Sequence, residues 1–455
     1  MSLSRRTLLK SAATLPLLAA NFPMPALAQS GSASSGAASA PPILFVHGNG
    51  DHAALWITTL WRMESNGVAR DRMFAINFTD PLARSDDAVA QPNRSSTEDQ
   101  RRELGEAIKA LKERTGASRV ALVGNSRGGN AIRNYVKNGG SADVSHAVLC
   151  GTPNHGVYAW DENLGNEFNG RGPFLRGLNE GDSEVTSGTA FLTLRSDSLD
   201  KYAQADGRFV GKPGTPTNVT TEGPALNGAT NLVLGPVDHR ETAYSPRAFR
   251  EIYKFIIGRE PERLGIVPEK DVRLSGLVTG TPGGVQTNRP VADATVEMYR
   301  VMPDSGERIG EVIHSSKTGA DGRWGYAPVD PGWYLEIVLT APGSTTTHFY
   351  RSPFLRSSDV VHLRAARALA TADTGAIVIM SRPRGYFGLP RDVVLLDGKE
   401  PADVKSGVPT DSSTTLMLPA DGVGRAVTAL FNEERIVARA WSAAEGRIAV
   451  AELTY

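Results

Sequence analysis

Cysteine is almost absent from this chain, because Cys150 is the only one among 455 residues. A single thiol excludes an intramolecular disulfide and a zinc site built from several cysteines, so packing must supply the stability. An excess of charge of one sign is also lacking, since 49 Lys and Arg balance 49 Asp and Glu. Without net charge, no overall field attracts nucleic acid or an anionic membrane, and neither is an expected partner.

Long hydrophobic runs are missing as well. The apolar stretch at residues 12–20 is much shorter than the about 20 residues that a transmembrane helix needs, so we predict no stable membrane insertion. It follows Arg5 and Arg6 and precedes Ala26-Leu27-Ala28, which has the small-residue spacing of a signal-peptidase site. Residues 1–28 resemble a twin-arginine export signal. This resemblance implies a protein that folds before export and is periplasmic or extracellular.

The mature chain changes its pattern along its length. Residues 29–41 are rich in Gly, Ser and Ala and predict a flexible linker, and residues 42–262 predict an α/β domain. Its apolar, strand-like runs are 43–46, 73–76, 120–123, 147–150, 191–194 and 232–234. Helical patterns separate them, including one that starts at Ser95 with Glu98 as a capping box and one that starts at Ser245. A mostly parallel sheet covered by helices is expected.

The last part of the chain has the alternating pattern of β-strands. Ala294, Val296 and Met298 alternate with more polar residues, and turns rich in Gly, Pro and Asp separate such segments. We predict a β-sandwich-like module at 268–368, which resembles small β-sandwich modules appended to exported bacterial proteins. Residues 369–455 are either a second β module or the continuation of the first.

The clearest chemical signal is Gly124-Asn125-Ser126-Arg127-Gly128, placed between an apolar strand and a helical segment. In this G-x-S-x-G context the serine occupies a tight turn, and the glycines prevent collisions with the neighbouring strand and helix. The hydroxyl of Ser126 is thereby presented at the edge of the sheet, where it can act as a nucleophile. The alternative is a glycine-rich loop that only caps a helix.

The motif and its setting resemble the α/β-hydrolase fold of bacterial and archaeal lipases and carboxylesterases. The resemblance covers about residues 42–258 and includes the loop His47-Gly48-Asn49-Gly50 after the first strand. It implies an oxyanion hole formed by the backbone N–H groups of Asn49 and Arg127.

A serine nucleophile needs a base and an acid, which this fold supplies in the order Ser, acid, His. The resemblance places the base at His239, after the last strand, and the acid in the loop after residues 191–194. Asp200 is favoured there over Asp197, and Asp206 and Asp238 are weaker alternatives. His155 lies in a loop similar to one in lipases, and it is expected to be structural.

Substrate-binding residues are not identifiable from the sequence. Residues 157–186 form a long Gly- and Asn-rich stretch with aromatic side chains, which fits either a lid over the site or a loop pinned to the body. No lysine or arginine cluster marks a pocket for an anionic group, which favours neutral esters or lipids. Nothing in the sequence calls for a metal or an organic cofactor.

The sequence therefore predicts a secreted serine hydrolase that cleaves carboxylic esters as a lipase or carboxylesterase, through an acyl-enzyme intermediate. A polyester depolymerase with the same triad and a non-catalytic exported binding protein are the alternatives. The C-terminal β region has three candidate roles, which are contact with a polymer or lipid surface, covering of the site and added stability.

Overall fold

The structure is a computed structural model that describes residues 40–368, 370–371 and 373–455. The predicted export signal at residues 1–28 and all but the last two residues of the predicted linker lie outside the described residues.

The first part of the chain forms a six-stranded sheet in which all paired strands are parallel. Its strands are β1 (Ile43–Val46), β2 (Met73–Ala75), β3 (Val120–Asn125), β4 (Val144–Cys150), β5 (Ala190–Ser196) and β6 (Thr230–Leu234). They lie in the order β2-β1-β3-β4-β5-β6. The central strand β3 is buried along its whole length, as a strand covered on both faces must be. The predicted α/β fold class is confirmed.

Six α-helices accompany this sheet in the described part of the chain. They are α1 (Ile57–Ser65), α2 (Thr97–Thr115), α3 (Arg127–Tyr135), α4 (Pro173–Leu178), α5 (Glu241–Tyr244) and α6 (Pro246–Ile257). The predicted start of α2 at Ser95 with Glu98 is wrong by one residue, because Ser96 and Asp99 form the capping box. The hydroxyl of Ser95 instead donates to the carbonyl of Asp80 at 2.6 Å. Ser245 caps α6 as predicted.

The C-terminal region contains only strands and short turns of helix among the residues the structure describes. Its strands are β7 (Val272–Thr279), β8 (Thr295–Val301), β9 (Arg308–Lys317), β10 (Arg323–Val329), β11 (Tyr334–Thr340), β12 (Thr346–Arg351), β13 (Leu363–Arg364), β14 (Ala376–Ser381), β15 (Val394–Leu396), β16 (Ser413–Leu418), β17 (Ala426–Phe431), β18 (Glu434–Arg439) and β19 (Arg447–Glu452).

These strands form three sheets, ordered β10-β7-β13, β16-β14-β19-β12-β11-β8-β9 and β15-β17-β18. In the seven-stranded sheet, β12 pairs with β19, and β19 pairs with β14. Strands from both predicted β segments therefore share one sheet. A predominantly β C-terminal region is confirmed as part of the fold class.

The β region packs directly on the α/β part. The rings of Trp61 in α1 and Phe354 meet edge to face with centroids 6.1 Å apart, and the indole N–H of Trp61 donates to the Ser357 carbonyl. At a second contact between the two parts, the side-chain amide of Asn288 donates to the carbonyl of Asp51 at 3.0 Å. Asp51 follows the loop after β1, so the contact reaches the neighbourhood of the predicted oxyanion loop. Within the described part of the chain, no helix is both long enough and apolar enough to cross a bilayer.

Candidate active site

Ser126 lies at a strained turn between β3 and α3. Its φ of 54° and ψ of −125° place a residue with a side chain in a region that favours glycine. Such strain persists only where the surrounding structure holds it, and here the N–H of Ser126 donates to the carbonyl of Cys150 at 2.9 Å. The conformation is that expected of a nucleophile at a strand-to-helix turn.

The two glycines of the motif are required because neighbouring backbone atoms lie too close to them for a side chain. A Cβ on Gly128 would lie 2.5 Å from the carbonyl oxygens of Val46, which ends β1, and His47, which follows it. A Cβ on Gly124 would lie 2.8 Å from the backbone of Gly128. These distances give the physical reason for the G-x-S-x-G spacing, because the first turn of α3 packs against the ends of β1 and β3.

His239 and Asp200 meet in the loops after β6 and β5. The imidazole Nδ1 of His239 lies 2.8 Å from Oδ2 of Asp200, and both side chains are buried. The other oxygen of Asp200 accepts from the N–H of Tyr202 at 2.8 Å, and the Tyr202 ring packs edge-on against the imidazole. Asp197, the competing acid, accepts instead from the N–H of Ser198 in its own turn. The structure thus pairs His239 with Asp200.

Asn125 connects the His239 turn to the serine turn. Its amide donates to the carbonyl of His239 at 3.3 Å and to the carbonyl of Cys150 at 3.0 Å. A Cβ on Gly151 would lie 3.3 Å from Nδ1 of His239, which shows how closely the end of β4 approaches the imidazole. The sequence indicates no role for Asn125. Its position beside Ser126 is visible in the sequence, but its partner 114 residues away is not.

The predicted oxyanion loop abuts the serine. A Cβ on Gly48 would lie 3.0 Å from the Cβ of Ser126, so the backbone before Asn49 runs beside the serine turn. The exposed Asn49 accepts a hydrogen bond from the N–H of Ala83 through its side-chain oxygen. Arg127 is the first residue of α3, and an N–H at this position has no partner within the helix. Such N–H groups and the helix dipole favour negative charge at this end of α3.

The side chain of Arg127 is buried and was missed by sequence analysis, which considered only its backbone. Its Nε lies 2.8 Å from Oε2 of Glu167, and Nη1 donates to the Pro81 carbonyl and to the hydroxyl of Ser95. Burial raises the pKa of Glu167, and the positive charge of Arg127 opposes that rise. The residue after the serine therefore anchors the segment that contains Glu167.

Residues 157–186 are pinned to the protein body at several points. Arg133 of α3 donates to the carbonyl of Leu178, the amide of Asn166 donates to the carbonyl of Ser85, and Leu175 of α4 is buried. His155 lies just before this segment, and its ring nitrogens contact Oε1 of Glu184 and the carbonyl of Gly223, each at 2.7 Å. Both ring nitrogens of His155 therefore have partners away from Ser126.

His47 contacts the predicted oxyanion loop as a neutral side chain. Its Nδ1 lies 2.9 Å from the carbonyl of Gly48, and its Nε2 accepts from the N–H of Phe78. Burial lowers the pKa of His47 to about 4, because the charged imidazolium is poorly solvated there. Among the described residues, no group of three or more His, Cys, Asp and Glu side chains is arranged to hold a metal ion.

Two family models match the chain. Residues 40–157 match the model of Lipase (class 2), and residues 270–368 match the Lipase C-terminal domain. The first match contains Ser126 and Asn49, whereas Asp200 and His239 lie outside it. No curated protein matches the chain. The matches confirm the resemblance to α/β-hydrolase lipases that carry a C-terminal domain, and they indicate a lipolytic hydrolase that acts on esters.

Solved structures of lipases are similar to parts of the chain. The mature form of Bacillus licheniformis lipase BlEst2 is 19% identical over 48% of this chain and 92% of its own length, with a TM-score of 0.35. Its propeptide form is 14% identical over 89% of this chain and 97% of its own, with a TM-score of 0.36. Aspergillus fumigatus lipase B is 16% identical over 52% of this chain and 57% of its own, with a TM-score of 0.35.

Proposed function

We propose that this chain is an exported serine hydrolase of carboxylic esters, with Ser126 as nucleophile, His239 as general base and Asp200 as the acid that orients the base. The observation that carries the proposal is the 2.8 Å contact between His239 and Asp200, in a turn whose backbone accepts from Asn125, the residue before the strained Ser126. The matches to two lipase family models support ester substrates.

In the first half of the reaction, Ser126 Oγ attacks the ester carbonyl and His239 Nε2 takes the hydroxyl proton. The carboxylate of Asp200 accepts from Nδ1–H, which fixes the tautomer and stabilises the imidazolium that forms. The N–H groups of Asn49 and Arg127 donate to the oxyanion of the tetrahedral intermediate. His239 then gives its proton to the alkoxy oxygen, the C–O bond breaks and the alcohol leaves an acyl-Ser126.

The second half repeats these steps with water. His239 takes a proton from water, whose oxygen attacks the acyl carbonyl, and a second tetrahedral intermediate forms in the same oxyanion hole. This intermediate expels Ser126 Oγ, which recovers its proton from His239. The carboxylic acid leaves, and the enzyme is regenerated without any change in its own atoms.

Neutral esters or lipids are the proposed substrates, and export by residues 1–28 is proposed from the paired arginines and Ala26-Leu27-Ala28. Expression of the full chain with its export machinery should yield a mature N-terminus at Gln29. Replacement of Arg5 and Arg6 by lysine should retain the precursor inside the cell. Export of the doubly substituted precursor at the normal rate would contradict the twin-arginine assignment.

Ester hydrolysis tests the catalytic proposal directly. p-Nitrophenyl esters from acetate to palmitate should be turned over by the wild-type protein, with an acyl-length optimum that separates an esterase from a lipase. Ser126→Ala should reduce turnover to background while the circular dichroism spectrum stays unchanged. Absence of turnover at every acyl length would favour the non-catalytic binding protein.

A further inference from the structure

The turn that carries His239 is held by a segment near the C-terminus of the chain. Asp238, which directly precedes His239, is fully buried. Its Oδ1 accepts from the N–H groups of Arg240 and Glu241 and so shapes the turn. Its Oδ2 accepts from Nη1 of Arg382 at 3.0 Å and from the N–H of Tyr386 at 2.8 Å. One carboxylate therefore links the His239 turn to residues that follow β14.

Arg382 makes further contacts with the same turn. Its Nη2 donates to Oε1 of Glu241 at 2.5 Å and to the hydroxyl of Tyr244 at 3.0 Å. Its Nε donates to the carbonyl of Tyr455, and its guanidinium carbon lies 4.2 Å from the centroid of the Phe431 ring. A planar guanidinium that is fixed on both sides determines the position of its partners more strictly than a flexible ammonium does.

The same part of the β region also reaches the loop of Asp200. Lys201, the next residue, donates from Nζ to the carbonyl of Thr410 at 2.8 Å. Its Nζ also lies 3.9 Å from the centroid of the Tyr386 ring. Both loops of the 2.8 Å contact between His239 and Asp200 are thus attached to residues 382–410. This segment lies beyond the match to the lipase C-terminal domain, which ends at residue 368.

We propose that Arg382 is a positioning residue for His239, acting through Asp238 and Glu241. The inference rests on the proposed function, because it assigns Arg382 a purpose only if His239 is the general base. Arg382 has no part in proton transfer in this proposal. It holds the turn so that the imidazole stays in contact with Asp200, and a misplacement of about 1 Å can reduce a rate by about 100-fold.

The test compares Arg382→Met and Arg382→Lys with Arg384→Met. Arg384 is also buried, and it donates to the carbonyls of Leu453 and Thr454 within the β region, so it is a matched control. We expect kcat per active site to fall about 10- to 100-fold in Arg382→Met with KM little changed. Arg382→Lys should lose less, and Arg384→Met should keep the wild-type kcat. Titration with a serine-directed phosphonate counts the active sites.

Active-site titration separates positioning from a general loss of stability. A misplaced imidazole lowers kcat at each titrated site and leaves KM little changed, and Arg382→Lys, which keeps the positive charge, should recover part of the loss. A fraction of unfolded protein would lower the number of titrated sites without lowering kcat per site. Folded Arg382 variants with the wild-type kcat per active site, or with a loss equal to that of Arg384→Met, would overturn the inference.

Two further variants keep the outcomes distinct. If Arg382→Met does not fold, Glu241→Gln weakens the contact between Arg382 and Glu241 from the other side, and a folded Glu241→Gln protein with the wild-type kcat per active site would overturn the inference. Ser126→Ala is measured in parallel with these variants. Hydrolysis that survives Ser126→Ala overturns both the proposed function and this inference. Hydrolysis that requires Ser126 but is unchanged by substitution of Arg382 overturns only this inference.

Discussion

The imidazole Nδ1 of His239 lies 2.8 Å from Oδ2 of Asp200, although the two residues follow different strands of the parallel sheet. Their side chains are only 3% and 4% exposed, so water competes little for this hydrogen bond. A carboxylate that accepts from Nδ1–H leaves Nε2 as the nitrogen that takes a proton. The hydrogen bond from the Asn125 amide to the carbonyl of His239 links the histidine turn to the serine turn.

Asp200 and Asp197 are expected to differ sharply in their effect on catalysis. Asp200→Asn should lower kcat by about 10³- to 10⁴-fold, because the amide favours the wrong tautomer of His239. Asp197→Asn is the matched control in the same loop and should leave kcat near the wild-type value, since Asp197 accepts from the N–H of Ser198. Steady-state ester hydrolysis measures both. A larger loss in Asp197→Asn than in Asp200→Asn would contradict the pairing.

The ion pair between Arg127 and Glu167 should be important for stability. Glu167→Ala leaves a fully buried guanidinium without its carboxylate, which is expected to lower the free energy of unfolding by about 3–5 kcal/mol. Asp161→Ala breaks the exposed pair with Arg171 and should cost about 0–1 kcal/mol. Urea denaturation of both variants checks the difference, and equal losses would refute it.

Gly128 should not tolerate even a methyl group. In Gly128→Ala the new Cβ would lie 2.5 Å from two carbonyl oxygens at the end of β1, so we expect a loss of at least about 1–3 kcal/mol in the free energy of unfolding. Gly177→Ala in α4 has nothing within 4 Å of its Cβ and should be neutral or stabilising by about 0.5–1 kcal/mol. Thermal or urea unfolding tests the pair. A Gly128→Ala protein as stable as the wild type would contradict the close approach of Gly128 to the carbonyl oxygens at the end of β1.

Stability should depend on pH through His47. Because burial lowers the pKa of His47 to about 4 from 6.5, the unfolded chain binds a proton between these pH values that the folded chain does not bind. The free energy of unfolding therefore falls as the pH is lowered through this window, with a slope approaching about 1.4 kcal/mol per pH unit for this group. Urea denaturation from pH 7 to pH 4.5 measures the slope. His47→Gln should show a smaller slope, and an unchanged slope would contradict the account.

Local patterns predicted most of the α/β part. Continuous apolar runs located the six parallel strands, because strands buried on both faces carry few polar residues. Ser245 followed by Pro246 located the start of α6. The start of α2 was placed one residue too early, because Ser95 with Glu98 and Ser96 with Asp99 both have capping-box spacing. The tertiary contacts of the Ser95 hydroxyl with Asp80 and Arg127 distinguish them.

Contacts between residues far apart in the chain could not be predicted from the sequence. The strand-turn-helix setting of Ser126 is local, and the motif identified it. The choice between Asp200 and Asp197 depends on which carboxylate reaches a histidine about 40 residues later, and spacing alone left both open. The partners of Arg382 lie about 140 residues earlier in the chain, and no local pattern predicts them.

The central claim is that Ser126 is the nucleophile activated by His239. The most direct test is to incubate the protein with a fluorophosphonate, follow the loss of ester hydrolysis and locate the adduct by peptide mass spectrometry. The account predicts one adduct per chain, on Ser126, formed in step with the loss of activity and greatly slowed in His239→Ala. Complete inactivation with the adduct on another residue, or full activity after Ser126 is labelled, would contradict it.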